Sequence, residues 1–361
     1  MYTAHKTKVV LLFGGRSSEH EVSLLSAASI FQNLDRHRFE VIPVGIDRAG
    51  KWFLQDAIEF KEGASEVWLS HSELIEVGGL RRWPIDVIFP ALHGTFCEDG
   101  TLQGVLELAQ VPYVGSGVLG SSVGMDKDVA KRLVRDAGLP VVPFVTLSSF
   151  GWRVQQRKWI QEIERHFLFP LFVKPANLGS SVGIHKVNEC SHLSAAIDDA
   201  FRFDRKVLVE KGISAREIEL SILEGREGAR EPRVSVAGEI IPKHEFYSYE
   251  AKYLDENGAE LCIPALLSSE QMNEAKRLGR KIFKALDCES MARVDLFLEK
   301  ETGNFYFNEV NTLPGFTKIS MYPKLWEASG LSYHDLLSEL IDLALNRFQE
   351  QSVLVREFEK R

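Results

Sequence analysis

Cysteine is scarce in this chain. Its four cysteines, Cys97, Cys190, Cys262 and Cys288, form no C-x-x-C pair. That spacing excludes a zinc ribbon and a disulfide scaffold and fits a reducing, cytoplasmic setting. Long apolar runs are missing too: none approaches the ~20 residues that a membrane span needs. Met1 to Lys8 lacks the apolar stretch of a signal peptide. There is no basic excess either. The formal net charge is −8, which argues against nucleic acid as a partner. Any anionic ligand must be met by locally placed Lys and Arg. What remains is an ordinary globular composition, 45% hydrophobic and 26% charged over 361 residues, enough for two or three domains.

Lys8 to Phe13, KVVLLF, is an apolar run typical of a buried parallel strand. Gly14-Gly15-Arg16-Ser17 follows, and a helix is expected from Ser18, where Ser18-x-x-Glu21 has capping-box spacing. Glu19 then stands in the first turn, either complementing the helix dipole or holding a ligand. The Gly14-Gly15 bend does not complete the G-x-G-x-x-G of a dinucleotide site. Val41 to Ile46 and Val87 to Pro90 continue the strand–helix alternation of an open α/β sheet. His93 follows the second of these, beyond the carboxyl ends of strands where such sheets bind ligands, although a lone His after a strand is more often structural. Val114 to Gly124, VGSGVLGSSVG, reads as a Gly/Ser-rich hinge. Asp126 caps the next helix, with Val129, Leu133, Val134 and Ala137 inward and Gly138 closing it. Lys127 lies in its first turn, where the dipole disfavours a cation; that placement suggests service to an anion.

Leu171 to Lys174 and Ile184 to Val187 read as a hairpin around the loop Asn177 to Gly183, NLGSSVG. It is no P-loop, because a strand follows instead of a helix. Its backbone N–H and hydroxyl donors still suit phosphates, with Lys174 on the strand leading in. Val207 to Glu210 is another strand; a nucleoside pocket at the hinge beyond it would explain both Glu210 and Glu217, and the plainer alternative for either is an ordinary exposed Glu. Phe246 to Glu260, aromatic, charged and aperiodic, has the length of a lid. Ser268 to Leu286 is an amphipathic helix with Met272, Ala275, Leu278, Ile282 and Phe283 inward. Ser332-x-x-Asp335 caps a long final helix with Leu336, Leu337, Leu340, Ile341 and Phe348 inward.

Between them, Met291 to Thr317 reads as two short strands joined by the polar turn Glu299 to Asn304. Alternation puts Arg293 and Asp295 on one face of the first strand, and Glu309 and Asn311 on one face of the second. Antiparallel pairing would gather these four on one surface, whose hard oxygen donors suit Mg²⁺. The plainer alternative is a solvated hairpin face. The turn Thr312 to Phe316 brings backbone N–H groups nearby.

Together these parts imply phosphoryl transfer from ATP to a small substrate. The stretches that carry more are GGRSSEHEVSLLSA (Gly14 to Ala27), LHGTFCEDGTLQG (Leu92 to Gly104), MDKDVAKRLVRDAGLP (Met125 to Pro140), VKPANLGSSVG (Val173 to Gly183), EAKY (Glu250 to Tyr253) and ARVDLFL with NEVNTLPGFTKIS (Ala292 to Ser320). On these residues, which run through nearly the whole chain, it resembles the D-alanine–D-alanine ligases of the ATP-grasp superfamily. The resemblance implies an α/β chain with an ATP-grasp fold behind a Rossmann-like (pre-ATP-grasp) N-terminal domain. The domains would span 1–121, 122–212 and 213–361.

By the same resemblance, Lys127, Lys174 and Ser181 would meet the ATP phosphates, Glu210 and Lys211 the adenine, and Glu217 the ribose, with Lys252 also near ATP. Asp295, Glu309 and Asn311 would hold two Mg²⁺ ions, for which Mn²⁺ substitutes. Glu19, assisted by His93 and Ser180, would anchor the amino group of the first D-alanine. Lys252 and Ser320 would receive the carboxylate of the second, with Tyr253 in the lid. Arg293 and the Gly315 N–H would form the oxyanion site. The resemblance also implies a cytoplasmic homodimer supplying peptidoglycan precursors. The alternative within the family is a ligase joining D-alanine to D-lactate, and the intact Glu250-Ala251-Lys252-Tyr253 favours the dipeptide. Phe96-Cys97 is an unusual filling for its loop and bears on packing beside His93.

Overall fold

The computed structural model describes residues 5–61, 63–180, 182–225, 231–242 and 259–355, which build three sheets. The first comprises β1 (Thr7–Gly14), β2 (Phe39–Ile46), β3 (Trp52–Leu54), β4 (Glu66–Ser70), β5 (Glu73–Glu76), β6 (Arg82–Pro84) and β7 (Val87–Pro90), in the order β6-β5-β4-β3-β2-β1-β7. As the apolar runs predict, β1 pairs in parallel with β2 and β7, and Val9 to Phe13 are wholly buried. The expected strand–helix alternation fails between β2 and β7, where β3 to β6 add an antiparallel meander. Its links are too short for a crossover helix: His71 and Ser72, both at positive φ, form the two-residue turn between β4 and β5.

Helix α1 (His20–Asn33) starts later than expected, with Glu19 itself at the N-cap. The N-cap side chain makes no capping hydrogen bond. Ser17 Oγ accepts from the Glu19 N–H at 3.1 Å, and Glu21 reaches outward to Arg48 at 2.8 Å. Helix α2 (Thr101–Leu108) packs Leu102 and Leu106 against Val10, Leu12 and Ile88. The expected hinge is largely a helix, α3 (Val118–Met125). Its small residues permit close packing instead: a Cβ on Gly120 would stand 2.3 Å from the Asp287 carbonyl oxygen. Helix α4 (Lys127–Asp136) is capped by Asp126, which accepts from the Val129 N–H at 3.1 Å. Its buried residues are Lys127, Asp128, Ala130, Lys131 and Val134; of the apolar set expected, Val134 is buried and Val129 half-buried, while Leu133 and Ala137 are exposed.

The second sheet runs β10-β9-β11-β8, all antiparallel, from β8 (Phe144–Ser148), β9 (Leu171–Pro175), β10 (His185–Val187) and β11 (Lys206–Lys211). Helices α5 (Ser149–His166) and α6 (Leu193–Ala200) pack on the face carrying Leu171, Val173, Val207 and Val209. Strand alternation leaves Phe172, Lys174, Leu208 and Glu210 on the other face.

The third sheet, β14-β13-β12-β15-β16, is antiparallel and consists of β12 (Ala215–Leu223), β13 (Arg233–Pro242), β14 (Ala259–Cys262), β15 (Met291–Glu299) and β16 (Phe305–Asn311). Helix α7 (Ser269–Ala285) opens with a capping box between Ser268 and Gln271 and buries Ala275, Leu278, Ile282 and Phe283 against Ile218, Leu220 and Ile222. Helix α8 (Met321–Ala328) leads to α9 (Tyr333–Ser352), which turns back to the first sheet. There Leu336, Leu337, Leu340 and Ile341 share one core with Leu11, Phe13 and Phe89. Phe348, expected inward, is only half-buried.

Candidate active site

The inner faces of the sheets enclose a cleft of about 320 Å³ lined by Glu19, His93, Lys127, Lys174, Ser180, Glu210, Lys211, Glu217, Arg293, Asp295, Glu309, Asn311, Gly315 and Ser320. The residues singled out from distant stretches therefore meet in one place. Ser181, Lys252, Tyr253 and nearly all of the expected lid lie outside the described residues.

The metal-suited hairpin pairs antiparallel as expected, with Arg293 opposite Asn311 and Asp295 opposite Glu309. One feature was not legible. In an unbroken strand, Glu309 and Asn311 would share a face with Phe305 and Phe307, which are core. The register slips between Asp295 and Leu296, which leaves Asn308 as an extra residue on β16. This bulge resets the phase, so Val310 is buried while Glu309 and Asn311 face the cleft. Arg293 grips Asp295 with two donors, Nε at 2.8 Å and Nη2 at 2.6 Å, and Asn311 Nδ2 donates to the same carboxylate at 3.2 Å. Among the described residues no group of three His, Cys, Asp or Glu side chains is placed to hold a metal ion; Asn311 stands beside the Asp295/Glu309 pair on the same face of the hairpin.

Two lysines bring positive charge. Lys127 Nζ lies 3.1 Å from Glu309 Oε2 and donates to the Leu178 carbonyl at 2.7 Å, tying the glycine loop to the hairpin. Lys174 Nζ lies 2.6 Å from Glu210 Oε2. Glu210 lines the cleft as a buried carboxylate and also accepts from Lys131 at 2.7 Å. Burial would raise its pKa, yet the two ammonium groups outweigh burial and hold it below the usual carboxylate range.

The N-terminal wall is built around Glu19 and His93. Ser180, at positive φ in the glycine loop, donates from Oγ to Glu19 Oε1 at 2.5 Å. Gly94, at φ +75, passes so close that a Cβ there would stand 2.4 Å from Glu19 Oε2. His93 is locked between chain segments: Ser26 Oγ lies 2.9 Å from Nε2, and the Leu313 carbonyl oxygen 3.2 Å from Nδ1. Burial would lower the His93 pKa, but Glu98, Glu19 and the Leu313 carbonyl raise it above the ordinary value. Cys97 is buried beside this wall, while Phe96 stays exposed and carries the Arg16 guanidinium over its ring at 4.8 Å. At the far end, the Ser320 hydroxyl accepts from the Thr317 N–H at 3.0 Å, and a Cβ on Gly315 would stand 2.7 Å from it.

Lys131, Glu219 and Ser26 were not singled out from the sequence. Lys131 has a signal in helical spacing, one turn after Lys127 on the same face. Glu219 has one in strand alternation with Glu217 and Ser221, and it lies directly opposite Asp295 with its carboxylate 3.1 Å from Arg293 Nε. Ser26 has none, since only the fold brings α1 to His93.

The family described as D-ala D-ala ligase N-terminus matches residues 8–116, and that described as D-ala D-ala ligase C-terminus matches residues 133–342. The chain belongs to the D-alanine–D-alanine ligase family. It is 51% identical to D-alanine–D-alanine ligase A of Bradyrhizobium diazoefficiens, over 98% of this chain and 99% of that one. It is 49% identical to D-alanine–D-alanine ligase of Thermoanaerobacter sp., over 96% and 98%. The solved D-alanine-D-alanine ligase from Coxiella burnetii superposes with a TM-score of 0.83 at 37% identity, covering 97% of both chains. VanG D-Ala:D-Ser ligase from Enterococcus faecalis gives 0.84 at 37% identity, over 94% of this chain and 100% of that one. The architecture is accordingly that of the ATP-grasp ligases behind a Rossmann-like domain, and family members are ATP-dependent ligases.

Proposed function

We propose that the chain joins two D-alanine molecules to D-alanyl-D-alanine through a D-alanyl phosphate, consuming ATP and releasing ADP and phosphate. One observation carries this reading: Lys127 and Lys174, the Asp295/Glu309 pair and the Ser180-bound Glu19 carboxylate all line a single cleft. A carboxylate is a poor electrophile, so its oxygen first attacks the γ-phosphorus of ATP and ADP leaves. The amine nitrogen of the second D-alanine, once deprotonated, attacks the resulting acyl carbon, and phosphate departs as the C–O bond breaks.

Glu19, buried and oriented by Ser180, offers its charge to the ammonium of the first D-alanine, with His93 behind it. Lys127, Lys174 and the loop carrying Ser181 serve the phosphates, and Glu210, Lys211 and Glu217 border the nucleoside. Arg293 and the Gly315 N–H face the developing oxyanion, where fixed donors contribute most. Ser320 and Lys252 take the second carboxylate, and Tyr253 belongs to the lid that excludes water.

The donor set at the hairpin fits Mg²⁺ or Mn²⁺. Asp295, Glu309 and Asn311 present hard oxygens on one face, and each carboxylate already has a cation beside it, Arg293 or Lys127. Divalent ions held there would offset charge on the transferring phosphoryl group. The division at 1–121, 122–212 and 213–361 is supported by the sheets, each of which falls within one span. No described helix is long and apolar enough to cross a membrane, which is compatible with work in the cytoplasm. A homodimer supplying peptidoglycan precursors completes the proposal.

The test is phosphate release from ATP and Mg²⁺ with D-alanine, L-alanine, D-serine or D-lactate, with products identified by mass. Release with D-alanine alone, giving the dipeptide, is expected. Activity with L-alanine, or none with D-alanine, would overturn the proposal. Depsipeptide as the main product when D-lactate competes would favour the D-lactate alternative.

A further inference from the structure

Beneath the cleft lies a row of three buried charges that the reaction as written does not use in full. Lys131 is 0% exposed, Glu210 1% and Lys174 7%. One carboxylate is divided between two ammonium groups, with Lys131 on Oε1 at 2.7 Å and Lys174 on Oε2 at 2.6 Å. Glu210 and Lys174 line the cleft, whereas Lys131 does not. Its remaining contacts are the Phe307 carbonyl oxygen at 3.3 Å and the rings of Phe144 and Phe307. A charge so far from water is expensive to hold even when it is paired.

The arithmetic of the row suggests what does. Without Lys131, Glu210 and Lys174 form a closed, neutral buried pair, and an incoming phosphate must compete with the carboxylate for the Lys174 ammonium. With Lys131 present, the row carries one net positive charge, and the cation open to the cleft is Lys174. We propose that Lys131 is a positioning residue for the nucleotide site, occupying Glu210 from below so that Lys174 keeps charge in excess for an anionic phosphate. Burial pushes the Lys131 ammonium below its ordinary pKa; Glu210 opposes that push and Lys174 adds to it. Such a balance is expected of a cation held by one shared counter-ion.

The inference rests on Lys174 meeting phosphate, and a double-mutant cycle separates the two. ATP dissociation constants are measured by calorimetry on folded protein for the parent, Lys131→Met, Glu210→Gln, the double variant and Lys174→Met. Lys131→Met is expected to weaken ATP at least tenfold in the parent background and less than twofold in the Glu210→Gln background. The KM for D-alanine should stay within twofold for Lys131→Met; a larger change would show a general disturbance of the cleft and overturn the proposal. Equal losses in both backgrounds, or no loss in either, overturn the proposal. If Lys174→Met leaves ATP affinity unchanged, the phosphate role of Lys174 fails instead. Lys131→Gln, which keeps a hydrogen-bond donor but no charge, carries the same cycle if Lys131→Met does not fold.

Discussion

At the scale of single residues, the cleft shows how burial converts ordinary side chains into committed ones. Glu309 sits directly opposite Asp295 with Lys127 at 3.1 Å. Glu309→Gln keeps the shape and removes the charge. Turnover is expected to fall by roughly 10²-fold or more, with the far-UV spectrum and Tm nearly unchanged; near-normal phosphate release would sink the metal role. His93 makes a second case. Its pKa is raised in the folded chain despite burial, chiefly by Glu98. A raised pKa means that protonated His93 contributes stability in full below its unfolded value of about 6.5. That contribution is lost as pH rises through the folded value. Glu98→Gln should therefore lower Tm more at pH 6 than at pH 9, and equal losses at the two pH values would show that Glu98 does not act through His93.

Among the elements, β16 and α4 teach the same lesson from opposite directions. Alternation correctly put Glu309 with Asn311 and Arg293 with Asp295, but it could not reveal that β16 changes phase at Asn308. Sequence gives a face its membership. A bulge, chosen by pairing with β15, decides which way that face points. Deleting Asn308 leaves Phe305, Phe307 and Val310 in phase for the core but removes the local twist that aims Glu309. The shortened hairpin should fold with a Tm close to the parent's while turnover drops about 10²-fold if Glu309 has the proposed metal role, as expected of a displaced ligand; retained turnover would mean that the bulge is dispensable. In α4, apolar spacing found Val134 but not its buried neighbours Lys127 and Lys131, because those lysines answer to Glu309 and Glu210, both remote in sequence.

For the whole molecule, the decisive contact is the return of α9 to the first sheet. Leu336, Leu337, Leu340 and Ile341 complete a core with Leu11, Phe13 and Phe89, so the N-terminal wall that holds Glu19 is anchored by the C-terminal end of the chain. Leu340→Ala should cost about 2–5 kcal/mol, read as a lower denaturant midpoint in one cooperative transition. An early, separate transition for the N-terminal part alone would show that the shared core does not couple them.

What depends on short range could be read from the residues alone. The parallel strand KVVLLF, the Asp126 cap, the glycine-loop hairpin and the shared faces of Arg293 with Asp295 and Glu309 with Asn311 all follow from local periodicity and turn chemistry. The chain's ordered motifs were also enough to indicate the family. The antiparallel meander, the late start of α1, the helical Gly/Ser stretch, the Asn308 bulge and the Lys131–Glu210–Lys174 row were decided only in three dimensions. Each turns on partners distant along the chain, and burying a charge, or packing a glycine against a carbonyl, is favourable only once those partners have been assembled.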